Sequence, residues 1–218
     1  MSVRAMAFDL DGTLVDTAPD IGVALNRALH AAELPSVDFE RLRHWIGDGP
    51  DRLIERALEH MGVPRSARLQ RELRSGFDAA TLADPLQHGR VFSGVAALLA
   101  SLFGLRPMVV VTNKPTALSR RVLDAAGLLG FFDGVHGADA PEQRKPAPAL
   151  LLAAASRLQV DPASLLMVGD SANDLLCARA AGCPAAWVAW GYGAWPVDIA
   201  APGTWRVATP DALRRRVH

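Results

Sequence analysis

The sequence predicts an α/β fold, a parallel β-sheet with helices on both faces, that carries a smaller all-helical insertion after its first strand. From residue 93 onward, short apolar runs alternate with stretches in which apolar residues recur at helical spacing, as in strand–helix–strand units. Between residues 17 and 86 only the helical spacing occurs. These two observations indicate a Rossmann-like core that comprises residues 1–16 and 87–218, and a helical cap domain that comprises residues 17–86.

Six short apolar runs are predicted to form the strands of the core, because aliphatic and β-branched residues bounded by turn residues are typical of buried strands. They comprise residues 3–8, 108–111, 131–136, 165–168, 185–190 and 205–208. Core helices are predicted from Ser93 to about 103, around Leu118 to Gly127, from Pro148 to 158, after Asp174 to Gly182, and from Asp211. In the insertion, helices are predicted through residue 33 and over 38–45, 53–61 and 65–82.

Composition excludes several classes of function. The 218 residues carry 23 basic and 23 acidic side chains, so no net field recruits nucleic acid or an anionic membrane. We find no apolar run long enough to span a bilayer and no signal peptide. Cys177 and Cys183 are too few for a disulfide scaffold and are expected to be packed thiols. We therefore expect a cytoplasmic protein, a monomer or homodimer, with no nucleic-acid or membrane partner.

The first strand ends in an acidic pair. Asp9 and Asp11 are one residue apart, so in extended chain their side chains leave the same face. Two carboxylates this close repel each other unless a hard cation lies between them, and Mg²⁺ takes oxygen ligands. Gly12 permits a sharp turn, and Thr13 supplies a hydroxyl donor beside the pair. The alternative is a surface loop that happens to be acidic. The position of the two carboxylates at the end of an apolar strand favours the metal site over that alternative.

Lysine is scarce in this chain. Of the 23 basic residues only Lys114 and Lys145 are lysine, and each is followed by proline. The ammonium group is a compact charge that suits a phosphate or a buried carboxylate where a planar guanidinium would not fit. The two retained lysines therefore support an anion or carboxylate site near these positions.

Polar residues follow three of the predicted strands. Asp9 and Asp11 follow the first, Thr112 follows the second and Asp170 follows the fourth. Because ligands bind beyond the carboxyl ends of parallel strands, we expect these side chains to converge. Carboxylates would hold a divalent cation, while a hydroxyl and an ammonium would hold a tetrahedral anion, the requirements of phosphoryl transfer. Neither a serine–histidine–aspartate order nor a cysteine–histidine zinc spacing competes with this interpretation.

Four segments resemble the four motifs of the haloacid dehalogenase superfamily, in the family's order and over nearly the whole chain. Within the superfamily the chain is most similar to bacterial phosphoglycolate phosphatases, judged by the extended first motif, the Thr-Asn-Lys-Pro form of the second, and Ala-Ala-Gly-Cys-Pro at 180–184. The four segments are Asp9–Asp16, Val111–Pro115, Arg144–Pro148 and Gly169–Asp174.

The resemblance implies a role for each motif residue. Asp9 would be the nucleophile that forms an aspartyl-phosphate, and Asp11 would move protons to the leaving group and from water. The metal would be Mg²⁺, bound by Asp9, Asp170 and the backbone carbonyl of Asp11. Phosphate would be bound by Thr112, by Lys145 and by the amide of Asn113. Asp174, with Ser171 beside it, would orient Lys145 or metal-bound water. Lys114 is expected to point into a helix start and to have no catalytic role.

The cap is where the chain departs from the family. Family members often have asparagine between the two glycines of the cap substrate loop, where this chain has Gly47-Asp48-Gly49. The extra charge of Asp48 would face a phosphorylated carboxylate, so we expect it to be solvated or paired with Arg43. The resemblance implies a small phosphorylated metabolite as substrate, 2-phosphoglycolate first. A phosphosugar or amino-sugar acid phosphate, pyrophosphate or flavin mononucleotide are the rival substrates, and a non-catalytic binding protein is the rival class.

Overall fold

The computed structural model describes residues 3–217, so residues 1, 2 and 218 of the predicted core lie outside the described residues. A sheet of six parallel strands runs in the order β5-β4-β1-β6-β7-β8 and confirms the predicted α/β class. Strand β1 lies between β4 and β6, which decides where the site forms. The strands are β1 Ala5–Phe8, β2 Val15–Asp16, β3 Arg90–Val91, β4 Met108–Thr112, β5 Gly134–Gly137, β6 Leu165–Gly169, β7 Ala185–Val188 and β8 Trp205–Val207.

Both faces of the sheet are buried, as a parallel sheet covered by helices requires. In β1, Met6 and Phe8 belong to one apolar cluster, and Ala5 and Ala7 belong to the cluster on the opposite face. Helices α5 Val95–Leu102, α6 Thr116–Ala125 and α9 Pro210–Val217 contribute to the first cluster. Helices α7 Ala149–Leu158 and α8 Ala172–Ala181 contribute to the second. No helix among the described residues is long and apolar enough to cross a membrane.

The inserted segment contains helices and no strand between residues 17 and 86, as its periodicity predicts. Its helices are α1 Ala18–Ala31, α2 Phe39–Arg43, α3 Pro50–His60 and α4 Ala67–Ala83. Their apolar stripes form a third buried cluster that includes Leu25, Ile54 and Phe77, and Leu118 of α6 joins it from the core. The division into a core and a cap domain remains a prediction, since the structure only shows that this segment has a largely separate apolar cluster.

A short antiparallel ribbon joins the two parts of the chain. Strands β2 and β3 pair Val15 with Val91 and Asp16 with Arg90. Beside them the carboxylate of Asp20 accepts backbone N–H bonds from residues 87, 88 and 89 at 2.8, 2.9 and 2.7 Å. The ribbon was missed at the sequence level because two residues are too few to show strand periodicity.

Three predicted boundaries were wrong. The cap of α5 is Gly94 rather than Ser93, because Gly94 adopts the left-handed conformation with φ 85° and the helix begins at Val95. The strand predicted at 131–136 is β5 at Gly134–Gly137, preceded by a turn of 3₁₀ helix at Leu129–Phe131. The aromatic residues Phe131 and Phe132 led to the prediction of a strand. In the structure their rings pack against the first apolar cluster without forming one. Strand β7 ends at Val188, before the predicted residue 190.

Candidate active site

The polar residues at the strand ends converge as the sequence predicts. Asp9 follows β1, Thr112 ends β4 and Asp170 follows β6, and β1 is hydrogen-bonded to both other strands. Their side chains therefore meet at the carboxyl edge of three adjacent strands. All three are buried. Buried carboxylates carry a large desolvation cost unless a cation or donors compensate them, so this edge is a special electrostatic environment.

Lys145 supplies one compensating charge. Its Nζ lies 2.8 Å from Oδ1 of Asp9 and 2.6 Å from Oδ1 of Asp174, and it donates to the carbonyl of Val111 at 3.0 Å. These contacts employ all three N–H bonds of the ammonium group. Burial lowers the pKa of Lys145, but the charges of Asp174 and Asp9 outweigh burial and raise it above its usual range. Lys145 is therefore a fixed cation beside Asp9.

The carboxylates remain undercompensated. Burial raises the pKa of Asp9 to about 7; the Lys145 charge opposes the shift, and the Asp174 and Asp170 charges add to it. Burial and the Asp174 charge raise the pKa of Asp170 to about 6. Three hydrogen bonds to the Asp170 carboxylate oppose that shift. Its Oδ2 accepts the backbone N–H groups of Tyr192 at 2.7 Å and Gly193 at 3.3 Å, and its Oδ1 accepts the Thr13 hydroxyl at 3.1 Å.

The donor set fits a hard divalent cation. Asp9, Asp170 and Asp174 each offer a carboxylate oxygen, and these oxygens lie within 4.8 Å of one another. Asp174 is already engaged, since Oδ1 contacts Lys145 and Oδ2 accepts from the Ser171 N–H at 3.0 Å and hydroxyl at 2.6 Å. Asp9 and Asp170 are therefore the better placed ligands for Mg²⁺, and Asp174 is placed to orient Lys145.

A glycine brings the acidic loop against Asp170. Gly12 has φ 85°, and a Cβ there would lie 2.5 Å from Oδ2 of Asp170 and 2.8 Å from the ring of Tyr192. Any larger residue would push the loop away from Asp170, in addition to the backbone strain at positive φ. The turn that the sequence suggested at Gly12 therefore also permits a close approach between the first and fourth motifs.

In the metal-free protein, unfolding free energy is expected to fall as pH rises from about 4 to about 7. Asp9 and Asp170 keep protons in the folded state within that window, whereas their unfolded pKa is near 3.8. The folded state thus binds more protons, and stability falls with rising pH. A divalent cation replaces these protons, so added Mg²⁺ should raise Tm more at about pH 8 than at about pH 5. An equal shift of Tm at both pH values would contradict a metal site built on these carboxylates.

The orientation predicted for Lys114 was wrong. Its side chain does not point into a helix start: its Nζ lies 2.7 Å from both carboxylate oxygens of Asp11, and the side chain is 5% exposed. Oδ1 of Asp11 also accepts the Thr17 hydroxyl at 2.6 Å. The scarcity of lysine in the sequence indicated a special role for Lys114. The expected orientation toward a helix start gave no reason to pair it with Asp11.

Asn113 connects three segments of the chain. Its Nδ2 donates to the carbonyls of Gly47 at 2.9 Å and Lys145 at 3.1 Å, and its Oδ1 accepts the Lys145 N–H at 2.6 Å. A phosphate contact by Asn113 would therefore fall to its backbone amide. The neighbouring Thr112 accepts the Lys114 N–H at 3.3 Å, which leaves its hydroxyl proton free to donate to an anion.

Asp48 is paired, but with a residue other than Arg43. It forms an ion pair with Arg56 of α3 and accepts from Nδ2 of Asn173 at 2.6 Å. Arg43 instead lies over the ring of Tyr192, with its guanidinium carbon 5.3 Å from the ring centroid. The two expected alternatives were solvation and a pair with Arg43. The structure instead pairs Asp48 with Arg56, which lies one helix further along the chain, where local sequence gives no indication of contact.

The Gly47–Gly49 loop and the start of helix α3 are held against the core at three points. Gly47 accepts from Asn113, Asp48 accepts from Asn173, and Asp51 forms an ion pair with Arg144. Each of these core residues is adjacent in sequence to a site residue, namely Thr112, Lys145 or Asp174. The loop is therefore bonded to chain positions directly beside the site residues.

Tyr192 is a site residue that sequence reasoning did not assign. Its backbone N–H donates to Asp170, and its hydroxyl accepts the Ala18 N–H at 2.9 Å and donates to Asp16 at 2.9 Å. Burial raises the pKa of this phenol above its usual range, so it stays neutral. The aromatic segment at 190–195 was the signal, but nothing local indicates that it contacts residues more than 170 positions earlier.

A narrow pocket with a cavity volume of about 30 Å³ lies between the core and the inserted helices. Its floor includes Asp9, Asp11 and Thr112, and apolar walls come from the inserted segment. Those wall side chains are Ile21, Ile46, Pro50, Leu53 and Phe77. The pocket therefore combines a polar floor of site residues with apolar walls from the inserted segment.

A model of the haloacid dehalogenase-like hydrolases matches residues 3–182. The chain belongs to this family. It is 40% identical over 210 residues to a protein of Escherichia coli (strain K12) named phosphoglycolate phosphatase, with 87% of this chain and 82% of that protein covered. A protein of Photorhabdus laumondii with the same name is 39% identical over 191 residues, with the same two coverages.

Solved structures of the haloacid dehalogenase-like family agree. A predicted phosphoglycolate phosphatase from Haemophilus somnus superposes with a TM-score of 0.89 at 26% identity, covering 100% of this chain and 99% of that one. The family match and the names of these relatives support a phosphatase, which confirms the resemblance inferred from the four motifs. The individual roles of the site residues remain proposals.

Proposed function

We propose that this chain is a Mg²⁺-dependent phosphomonoester hydrolase that acts through an aspartyl-phosphate on a small phosphorylated metabolite, with 2-phosphoglycolate as the preferred substrate. The observation that carries the proposal is the position of Asp9. It is a buried carboxylate, 2.8 Å from the Lys145 ammonium, on the floor of the pocket between core and cap. This is the setting in which a carboxylate can attack an anionic phosphoryl group without prohibitive repulsion.

In the first step, an oxygen of Asp9 attacks phosphorus as the ester oxygen departs in line. The Lys145 ammonium offsets the charge that accumulates between Asp9 and the phosphoryl oxygens, and the Thr112 hydroxyl and Asn113 amide donate to those oxygens. Asp11 gives its proton to the departing alcohol oxygen, so the alcohol leaves neutral. In the second step, Asp11 takes a proton from water, which attacks phosphorus and releases phosphate and the Asp9 carboxylate.

Residues that fit a magnesium ion surround the same position. Asp9, Asp170 and the Asp11 backbone carbonyl would hold Mg²⁺, which would supply charge neutralisation for the phosphoryl group. Asp174 and Ser171 hold Lys145 in place through the contacts described above. Tyr192 and Thr13 hold the Asp170 carboxylate by donating to it, so both are positioning residues.

The preference for 2-phosphoglycolate draws support from the names of the relatives. The rival substrates, a phosphosugar or amino-sugar acid phosphate, pyrophosphate and flavin mononucleotide, would share the reacting end of the site. They differ in the group that meets Arg43 and the Gly47–Gly49 loop. A cytoplasmic location and a monomeric or homodimeric state accompany this proposal as predictions.

A non-catalytic binding protein is the rival class. Binding of phosphate alone does not require a nucleophile, a proton carrier, a buried cation and a metal ligand in one place. The chain has all four of these residues at the site, namely Asp9, Asp11, Lys145 and Asp170. A binding protein also gains nothing from a proton carrier next to the nucleophile.

Phosphate release from a panel of esters in Mg²⁺ and then in EDTA tests the proposal. We expect 2-phosphoglycolate to have the highest kcat/KM in the panel and EDTA to abolish turnover. Readdition of Mg²⁺ should restore it, which controls for damage by the chelator. A different preferred ester would overturn the substrate assignment alone. Binding of phosphate esters without release from any of them would favour the binding protein.

A further inference from the structure

Lys114 is a buried cation that the proposed chemistry does not employ. Among the described residues that line the pocket between core and cap, it is the one with a positive charge. The pocket-side contacts of its Nζ are the two carboxylate oxygens of Asp11, both at 2.7 Å. Lys145, by contrast, has its three N–H bonds committed to Asp9, Asp174 and Val111.

The apolar walls of the pocket offer no partner for a second negative charge. Ile46, Leu53 and Phe77 are apolar, and a carboxylate placed against them would lose its hydration without compensation. Lys114 lines the same pocket and can provide a charge-assisted hydrogen bond there. Among the residues that line this pocket, Lys114 is therefore the charged partner for an anion that a ligand carries beyond its phosphate, while Arg43 lines the neighbouring pocket on the other side of Asp9 and Asp11.

Distance restricts where that anion can be in the ligand. Asp11, the proton carrier of the proposed reaction, must reach the ester oxygen within hydrogen-bond range, about 2.8 Å. In a phosphate ester of a 2-hydroxy acid, one carbon separates the ester oxygen from the carboxylate, whose oxygens lie about 3 Å away. A lysine in contact with Asp11 can therefore move to such a carboxylate by a small change of its side-chain torsions.

We propose that Lys114 is the specificity-determining residue of the site, which binds the carboxylate of the substrate and selects phosphate esters of 2-hydroxy acids. This assignment rests on the proposed phosphatase function. In the free enzyme Lys114 pairs with Asp11, and in the complex the substrate carboxylate takes its place beside the ammonium. The ion pair seen here thus occupies the carboxylate position until substrate arrives.

The test compares 2-phosphoglycolate with its amide, which has nearly the same size and no carboxylate charge. The measured quantity is the ratio of kcat/KM for the acid to that for the amide, in wild type, Lys114→Met and Arg120→Met. Arg120 is exposed on α6 and lies outside the pocket, so its variant controls for loss of a positive charge. Damage to folding or to the phosphoryl site affects both substrates and cancels in the ratio.

We expect Lys114→Met to lower the ratio by roughly 10- to 100-fold, as for loss of a hydrogen bond between charged groups, and Arg120→Met to leave it unchanged. A second measurement needs no variant: in wild type, lengthening the acid by one methylene should lower kcat/KM by roughly 10-fold, while lengthening the amide should not. A ratio that persists in Lys114→Met, or a wild-type ratio near one, overturns the role of Lys114 and leaves the phosphatase intact. Failure to hydrolyse any ester overturns both proposals.

Discussion

Replacing Asp9 with asparagine is expected to reduce phosphate release by roughly 10³- to 10⁶-fold, because the carboxamide cannot form an acyl phosphate. The variant should remain folded, since asparagine has the same shape and Lys145 keeps its contacts with Asp174 and Val111. In the absence of metal its Tm should not fall, because burial and the charges of Asp174 and Asp170 disfavour the Asp9 anion. Initial rates with saturating Mg²⁺ and thermal unfolding of the same sample provide the two measurements.

Asp161→Asn is the matched control for this exchange. Asp161 is an exposed carboxylate in the turn before β6, where it accepts the Ala163 N–H at 2.8 Å, at the opposite edge of the sheet. It should retain the wild-type rate. Phosphate release by Asp9→Asn within a few-fold of wild type would show that another group attacks phosphorus.

Replacing Lys145 with methionine is expected to have the largest combined effect on stability and activity. Removal of the ammonium leaves the buried carboxylates of Asp9 and Asp174 without their common partner, and breaking a buried pair in this way costs about 3–5 kcal/mol. Loss of one charge that faces the reacting group should lower kcat by roughly 10²- to 10³-fold. Urea unfolding monitored by circular dichroism and steady-state kinetics measure the two effects.

A double variant distinguishes the charge effect from simple loss of packing. In Lys145→Met with Asp9→Asn, one unpaired carboxylate is gone, so part of the lost unfolding free energy should return. Equal instability of the single and double variants would mean that the methionine disrupts packing and that the pairing with Asp9 contributes little.

The architecture could be predicted because it depends on local pattern and on general rules of topology. Short apolar runs locate β1, β4 and β6, and the rule that ligands bind at the carboxyl ends of parallel strands brings Asp9, Thr112 and Asp170 together. Helical periodicity likewise identified the inserted segment. The boundary errors at Ser93 and at residues 131–133 arose where a left-handed glycine and packed aromatic rings override a short pattern.

The side-chain partners could not be predicted, since they depend on contacts between distant parts of the chain. The Asp11–Lys114 pair joins residues 103 positions apart, and Tyr192 contacts Asp16 across 176. Asp48 pairs with Arg56 because helix α3 turns that side chain toward the loop, which no local periodicity reveals. The two-residue strands β2 and β3 show no periodicity at all.

The central claim is that Asp9 attacks phosphorus and carries the phosphoryl group before water removes it. The stereochemical course at phosphorus tests this claim most directly, measured with a chiral, isotopically labelled phosphorothioate ester hydrolysed in labelled water. Each in-line displacement inverts phosphorus, so two successive displacements through Asp9 predict net retention of configuration. Net inversion would show a single direct attack by water and would contradict the account.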